Sequence, residues 1–406
     1  MTSRFKSLLV AFALGATLGF AHAQEAVRPE VGKPLQAAQD LIKAGKYKEA
    51  LAKVRDADAV GGKNASESLL VERMRIAAAS GAGDVDTAAK ALEVINGSAK
   101  VSAADKSRMI ESIAGSYYRA RDYPKAMQWY QRYFKEGGTS AANRTLMIQT
   151  QYLSGDFAGA EKELMAEIQA TEKSGATPPE DRINLLMNAA VKQKDVAGET
   201  FALERLVSYY PKKEYWVALL NGMQRKPNFS DRLTLDTYRL SLATGSMVAS
   251  NDFSEMAQLA LQAGSPAEAK LVVDKGFAVG ALGTGPQADR HKRLRDLVAK
   301  RLDEAKKTQA DDEREALAAK DGNALLVVGM NLVFAGDKAR GVQLMQQGIS
   351  KGGLKRPEDA KLHLGIALFM AGDNAKAQAS FKTVAGADGT ADLARLWLLY
   401  VRRNKA

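Results

Sequence analysis

From residue 33 onward, apolar residues recur three and four positions apart, in runs broken by short polar or glycine-bearing turns. Residues 363–381, HLGIALFMAGDNAKAQASF, show the unit: one apolar run ends at Gly372 and a second opens around Ala377. No window alternates apolar and polar residues as a half-buried strand does. Proline is scarce between 35 and 123, while Ala, Leu, Glu and Lys abound, which favours helix. The pattern predicts an all-α chain.

The same phrase recurs along the chain, as in IKAGKYKEALAKV (42–54), YYRARDYPKAMQWY (117–130) and VFAGDKARGVQLM (333–345). Its turns fall at 45, 83, 121, 155, 194, 264, 336 and 372, spaced by 38, 38, 34 and 39, then 70, 72 and 36. A period near 36 fits two helices of about 12–14 residues joined by short turns. A small residue follows the turn by five positions in six units: Ala50, Ala88, Ala126, Ala160, Ala269 and Ala377. Small residues there let the second helix cross the first closely. Lys194 and Glu199 stand where Gly and Ala are expected, and Gly341 replaces an Ala.

The two double gaps carry information. LNGMQRKPNFSD (220–231) reads as a loop, with Ser230 or Asp231 placed to cap the next helix, and sets an expected boundary near 226–230. The stretch 287–320 is highly charged and reads as a long exposed helix or helical hairpin. Blocks on its two sides correspond at offset 72, among them Gly264 with Gly336 and His291 with His363, which indicates internal duplication. TPPE (177–180) and SPAE (265–268) have the capping-box form. An amphipathic segment at 391–403 is suited to cap the array.

These units resemble the tetratricopeptide repeat. In 108–134 the family's positions match Ala114, Tyr117, Tyr123, Ala126 and Tyr130. In the last unit they match Leu364, Gly365, Leu368, Gly372, Ala377 and Phe381. The resemblance covers 33–211 and 251–385 and implies a helix–turn–helix solenoid, a right-handed α–α superhelix in two sub-arrays, 24–225 and 226–406.

The first 23 residues differ from the rest. Arg4 and Lys6 precede an apolar run from Leu8 to Phe20, and AHA ends at Ala23, the form of a cleavable secretory leader. The run is shorter than the roughly 20 residues a spanning helix needs. The expectation is export to a bacterial periplasm with no transmembrane anchor after cleavage. The chain has no cysteine, so its stability comes from packing without disulfides. Its net charge of +11 falls to +9 without the two basic residues of the leader. Acids interleave with those bases, as in DRHKRLRDLVAKRLDEAKK (289–307), so the charge reads as a solvated helix face and not as a nucleic-acid surface.

Catalytic signals are weak. Gly280, Gly283 and Gly285 in GALGTGP do not form the dinucleotide fingerprint, and no strand precedes them. Loss of the leader leaves only His291, expected solvated, and His363, too few for a zinc site. No cofactor, metal or catalytic residue is expected.

The family resemblance implies that first helices line a partner groove. Here they would present Arg73, Tyr118, Arg119, Gln149, Tyr152, Asn184, Asn188 and Lys192. Tyr118 and Trp129 fall off the packing positions and are expected at the surface, free to anchor a partner. In the C-terminal repeats the equivalent positions are apolar, including Ile366, Phe369 and Met370, and either another helix covers them or a partner helix does. The Lys–Asn carboxylate clamp of chaperone-binding members is not matched. The reading is a non-enzymatic periplasmic scaffold for envelope proteins or peptide segments, with a similarity to tetratricopeptide proteins that accompany TonB-type energy-transducing systems. The alternative is an envelope polymer- or ligand-binding protein, or an enzyme, that uses the concave groove.

Overall fold

A computed structural model describes residues 27–403; the expected leader lies outside them. The described residues form 20 α-helices and two 3₁₀ turns, with no strand among them. The fold is all-α, built from tetratricopeptide-like helix–turn–helix units. The chain divides into two compact units after Asp156. The expected boundary at 226–230 falls inside the second unit.

The first unit holds α1 (Pro29–Lys43), α2 (Tyr47–Asp58), α3 (Ala65–Ala82), α4 (Val85–Asn96), α5 (Ala103–Arg119), α6 (Tyr123–Lys135) and α7 (Ala141–Ser154). Helices α1–α2, α3–α4 and α5–α6 pair as hairpins, each second helix packs on the next first helix, and α1, α3 and α5 adjoin in series. The second unit begins with α8 (Phe157–Lys173), α9 (Glu180–Gln193), α10 (Val196–Tyr209), α11 (Lys213–Gln224), α12 (Thr234–Ala243), α13 (Ser250–Gln262) and α14 (Pro266–Ala278). It continues through α15 (Ala288–Ala318), α16 (Asn323–Ala335), α17 (Lys338–Lys351), α18 (Pro357–Met370), α19 (Asn374–Lys382) and α20 (Thr390–Arg403).

The turns explain the period. All eight turn positions have positive φ, including the two that are not glycine, Arg121 at 61° and Lys194 at 60°. This left-handed residue ends the first helix. In six of the eight turns an Asp follows it. Asp84, Asp122, Asp195, Asp337 and Asp373 each accept a backbone N–H from the first turn of the next helix. Two residues thus stop one helix and start another. The capping boxes read from the sequence do not form. Pro179 sits at the N-cap of α9, Ser265 makes no cap bond, and neither Ser230 nor Asp231 caps through its side chain. The box that does form is Asn64 with Glu67 at the start of α3.

The crossings are close where the sequence placed small residues. Ala50, Ala88, Ala126, Ala160, Ala269 and Ala377 are each 0% exposed. In the 194 unit the step is four, not five: Gly198 takes the crossing and Glu199 lies beside it, half-buried. Helices α16 and α17 cross on glycine from both sides. A Cβ on Gly329 would lie 2.7 Å from the Gly341 carbonyl oxygen and 2.6 Å from Met345 Cγ. Gly322 and Gly348 oppose each other one heptad further along.

The second unit ends by folding back on itself. Helix α20 packs on α18 and α19 and also reaches α10 and α12. Lys226 Nζ meets Asp392 at 2.7 Å, Arg395 pairs with Glu204, and the Tyr400 hydroxyl donates to the Ala243 carbonyl at 2.7 Å. Trp216 of α11 stands edge-on to Tyr400, with ring centroids 6.2 Å apart.

Two substitutions test this geometry in opposite directions. Lys194→Gly removes a left-handed strain and should stabilise the protein by about 0.5–1 kcal/mol. Gly341→Ala forces α16 and α17 apart and should destabilise it by about 1–3 kcal/mol. Urea denaturation of the two variants beside the parent measures both; the same sign for the two would contradict the turn and crossing assignments.

Candidate functional site

In the first unit, the face formed by successive first helices is joined by side-chain rungs about one repeat apart. Arg73 of α3 reaches Asp105 of α5 at 3.1 Å. The Tyr118 hydroxyl of α5 donates to Gln149 Oε1 of α7 at 3.2 Å. Tyr118 also stands edge-on to Tyr123, with centroids 6.0 Å apart, and burial beside that ring pushes its phenol above the usual range. The two expected surface aromatics are therefore half-buried: Tyr118 holds a rung, and Trp129 packs on the core beneath the Arg132 guanidinium, 4.9 Å from its ring centroid. Arg119 is exposed and donates to Ser116 Oγ at 2.8 Å, and Tyr152 is half-buried on α7.

A second set of contacts joins α4, α5 and α6. Asp86 accepts from the Tyr117 hydroxyl and from Lys125 Nζ, each at 2.7 Å. Those hydrogen bonds, Lys125 first, hold its carboxyl below the ordinary range.

The start of the first unit is fixed by one carboxylate. Glu67 is fully buried and accepts from the Arg28 backbone N–H, the Arg28 guanidinium and the Asn64 N–H. One carboxylate thus completes the capping box of α3 and holds the residue that precedes α1. Hydrogen bonds from Arg28 outweigh the effect of burial and lower its pKa to about 2 from 4.5.

The remaining candidates lie in the second unit. Asn184 is turned toward the next helix, with Nδ2 donating to the Tyr215 hydroxyl at 3.1 Å and to the Glu180 carbonyl at 3.0 Å. Asn188 and Lys192 are exposed on the same helix. Ile366 is 1% exposed, and Met370 is half-buried. Phe369 packs against Trp397 and Tyr400, with centroids 5.9 Å and 5.5 Å away. Helix α20, not the 287–320 stretch, supplies that aromatic cover.

Behind this face lies a charged core that the sequence did not disclose. Arg239 of α12 makes a two-point contact with Glu268 of α14, both bonds 2.7 Å, and donates to Asp236 at 2.7 Å. His363 of α18 places Nε2 2.9 Å from Asp236 Oδ1. Burial would push the Asp236 carboxyl up; His363 and Arg239 outweigh it and hold it well below the usual range. Nearby, Arg232 joins Asp359, Asp388 and Thr390. Removing one member of such a set leaves a buried charge uncompensated, so these groups act structurally.

His291 is 2% exposed, not solvated as expected. Its Nδ1 accepts the Gly283 N–H at 3.2 Å, so in the neutral ring the proton sits on Nε2, which faces Ser250 Oγ at 3.1 Å. That tautomer donates to the serine and cannot accept its proton. The bonded Gly283 lies in the glycine-rich turn, which is therefore a packed connection between α14 and α15.

No family model matches the chain, and no curated protein matches it. Among solved structures it is similar to the TPR2AB-domain:pHSP90 complex of yeast Sti1, at 12% identity over 74% of this chain and 98% of that one, with a TM-score of 0.23. It is similar to yeast Tom70 at 12% identity, over 92% and 95% of the two chains, with a TM-score of 0.20. A third similarity, to Naa15/Naa10 bound to HypK-THB, has 15% identity, covers 87% of this chain and 58% of that one, and has a TM-score of 0.29. At these scores the fold of this chain rests on its own turns and crossings.

The Glu67 pair has a defined acid response. Its folded pKa lies below the unfolded value, so its contribution is complete above about 4.5 and is lost as pH falls toward about 2. Glu67→Gln should lower the urea midpoint at neutral pH, and the difference from the parent should shrink through that window. A difference that stays constant with pH would show that Glu67 is not held ionised by Arg28.

Proposed function

We propose that this chain is a non-enzymatic scaffold that docks envelope proteins or peptide segments in the periplasm, as an accessory to envelope machinery such as a TonB-type transport system. The observation that carries the reading is the ordered row of polar side chains on the first helices of the first unit. Arg73–Asp105 and Tyr118–Gln149 fix side chains one repeat apart while leaving them partly exposed. Groups already held in place lose little freedom on binding, which favours association. Arg119 adds an exposed cation beside them, one suited to a carboxylate or a carbonyl-rich strand. Export rests on the basic, apolar and A-x-A pattern of residues 1–23.

The two histidines among the described residues support a structural use over a catalytic one. His291 donates to Ser250 and anchors a turn; His363 places Nε2 against the buried Asp236 carboxylate.

Photocrosslinking amino acids at Tyr118 and Asn188, introduced separately into the full chain in living cells, test the proposal. Both should trap protein adducts in the periplasmic fraction. The same group at Phe369, which lies under Trp397 and Tyr400, should trap none. Absence of adducts at both of the first two positions would overturn the scaffold reading.

A further inference from the structure

Helix α15 is the longest among the described residues, at 31 residues, or about 46 Å. One of its faces follows a stripe of three- and four-residue steps, the spacing of a helix–helix seam. At its start the stripe is buried, through His291, Leu294 and Val298. Near its end it is buried again at Ala316. Between them the stripe carries Ala305, Gln309 and Asp312, residues too short or too polar to close the seam. Opposite stand Val327, Val328 and Leu332 of α16. The seam is thus open in its middle, leaving a gap of about 570 Å³ with an apolar floor. Val327 remains 47% exposed in it.

The charges around this gap are sorted. On the same turn of α15, Asp311 pairs with Arg314 at 2.6 Å, and Glu313 accepts from Arg340 at 2.9 Å. Asp312 and Glu315, which line the gap, meet no cation among the described residues. Asp312 accepts only from Thr308 Oγ1, at 2.7 Å. The gap offers an apolar floor and an anionic rim.

We propose that this open seam between α15 and α16 is a docking site for a basic, apolar peptide segment of a partner protein. An apolar side chain seats on Val327, Val328 and Leu332, and flanking Lys or Arg residues meet Asp312 and Glu315. The assignment rests on the scaffold reading and deepens it by naming the chemistry of one partner.

Fluorescence anisotropy of the full chain with a labelled peptide of Lys-Leu-Ala-Lys repeats tests it, with Lys-Ser-Ala-Lys and Glu-Leu-Ala-Glu peptides as comparisons. Only the first should bind. The Asp312→Asn/Glu315→Gln double variant should weaken binding about tenfold or more, and Ala305→Phe, which plugs the gap, should abolish it. An Asp303→Asn/Asp311→Asn double variant makes the same charge change off the gap and should bind like the parent. Circular dichroism melts of each variant separate lost binding from lost folding. Absence of binding, or equal weakening by the two double variants, would overturn the proposal. Self-association of the parent in sedimentation, removed by Ala305→Phe, would overturn it by identifying a second copy as the occupant. Failure here leaves the crosslinks from Tyr118 and Asn188 unaffected, because neither position lines the gap.

Discussion

Close crossing of two helices is the constraint from which the rest of this structure follows. A hairpin whose helices touch backbone to backbone tolerates almost no side chain at the contact, and six alanines and several glycines meet that demand. Once the crossing is fixed, the turn must be short, and a left-handed residue followed by a capping Asp is the shortest way to stop one helix and begin the next. Turn and crossing together set the repeat length. The repeat length in turn brings side chains some thirty to forty residues apart into reach, and the rungs from Arg28 to Glu67, Arg73 to Asp105 and Tyr118 to Gln149 are the result.

This logic explains how much of the fold was legible in the sequence. Turn positions and crossing residues recur at fixed spacing, so they stand out even where Arg121 and Lys194 replace glycine; backbone geometry outweighed local preference at both sites. The Asp that follows six of the eight turns is nearly as regular as the small residues. The capping-box pattern fails for a physical reason. The pattern of a hydroxyl residue followed by Glu three positions later is satisfied at 265–268, but Glu268 is drawn away to Arg239, a partner 29 residues earlier on another helix. A local pattern cannot reveal a distant competitor.

The candidate site was legible in part. Tyr118 and Gln149 are two of the eight residues that the family resemblance places on a first-helix groove, and a hydrogen bond that no spacing announces links them. Ile366 and Phe369 form an apolar face that the sequence leaves to another helix or to a partner; the cover on Phe369, α20, depends on a return of the chain that no periodicity encodes. The charged core around Arg239 was hidden for the same reason. Its members come from three helices, and each taken singly resembles an ordinary surface residue. The glycine turn at 280–285 shows the reverse case, a motif that looks chemical alone and becomes architectural once His291 is seen bonded to it.

The return of α20 has a consequence for how the molecule is made. Repeat arrays ordinarily gain structure unit by unit, since each unit leans only on its neighbours. In the second unit Arg395 meets Glu204 and Tyr400 meets Ala243, contacts separated by more than 150 residues. Long separations slow folding because a large loop must close before its contacts are gained. On the ribosome, α10 and α12 emerge long before α20 exists. Their faces stay uncovered through the synthesis of every intervening helix, so completion of the second unit waits on α20.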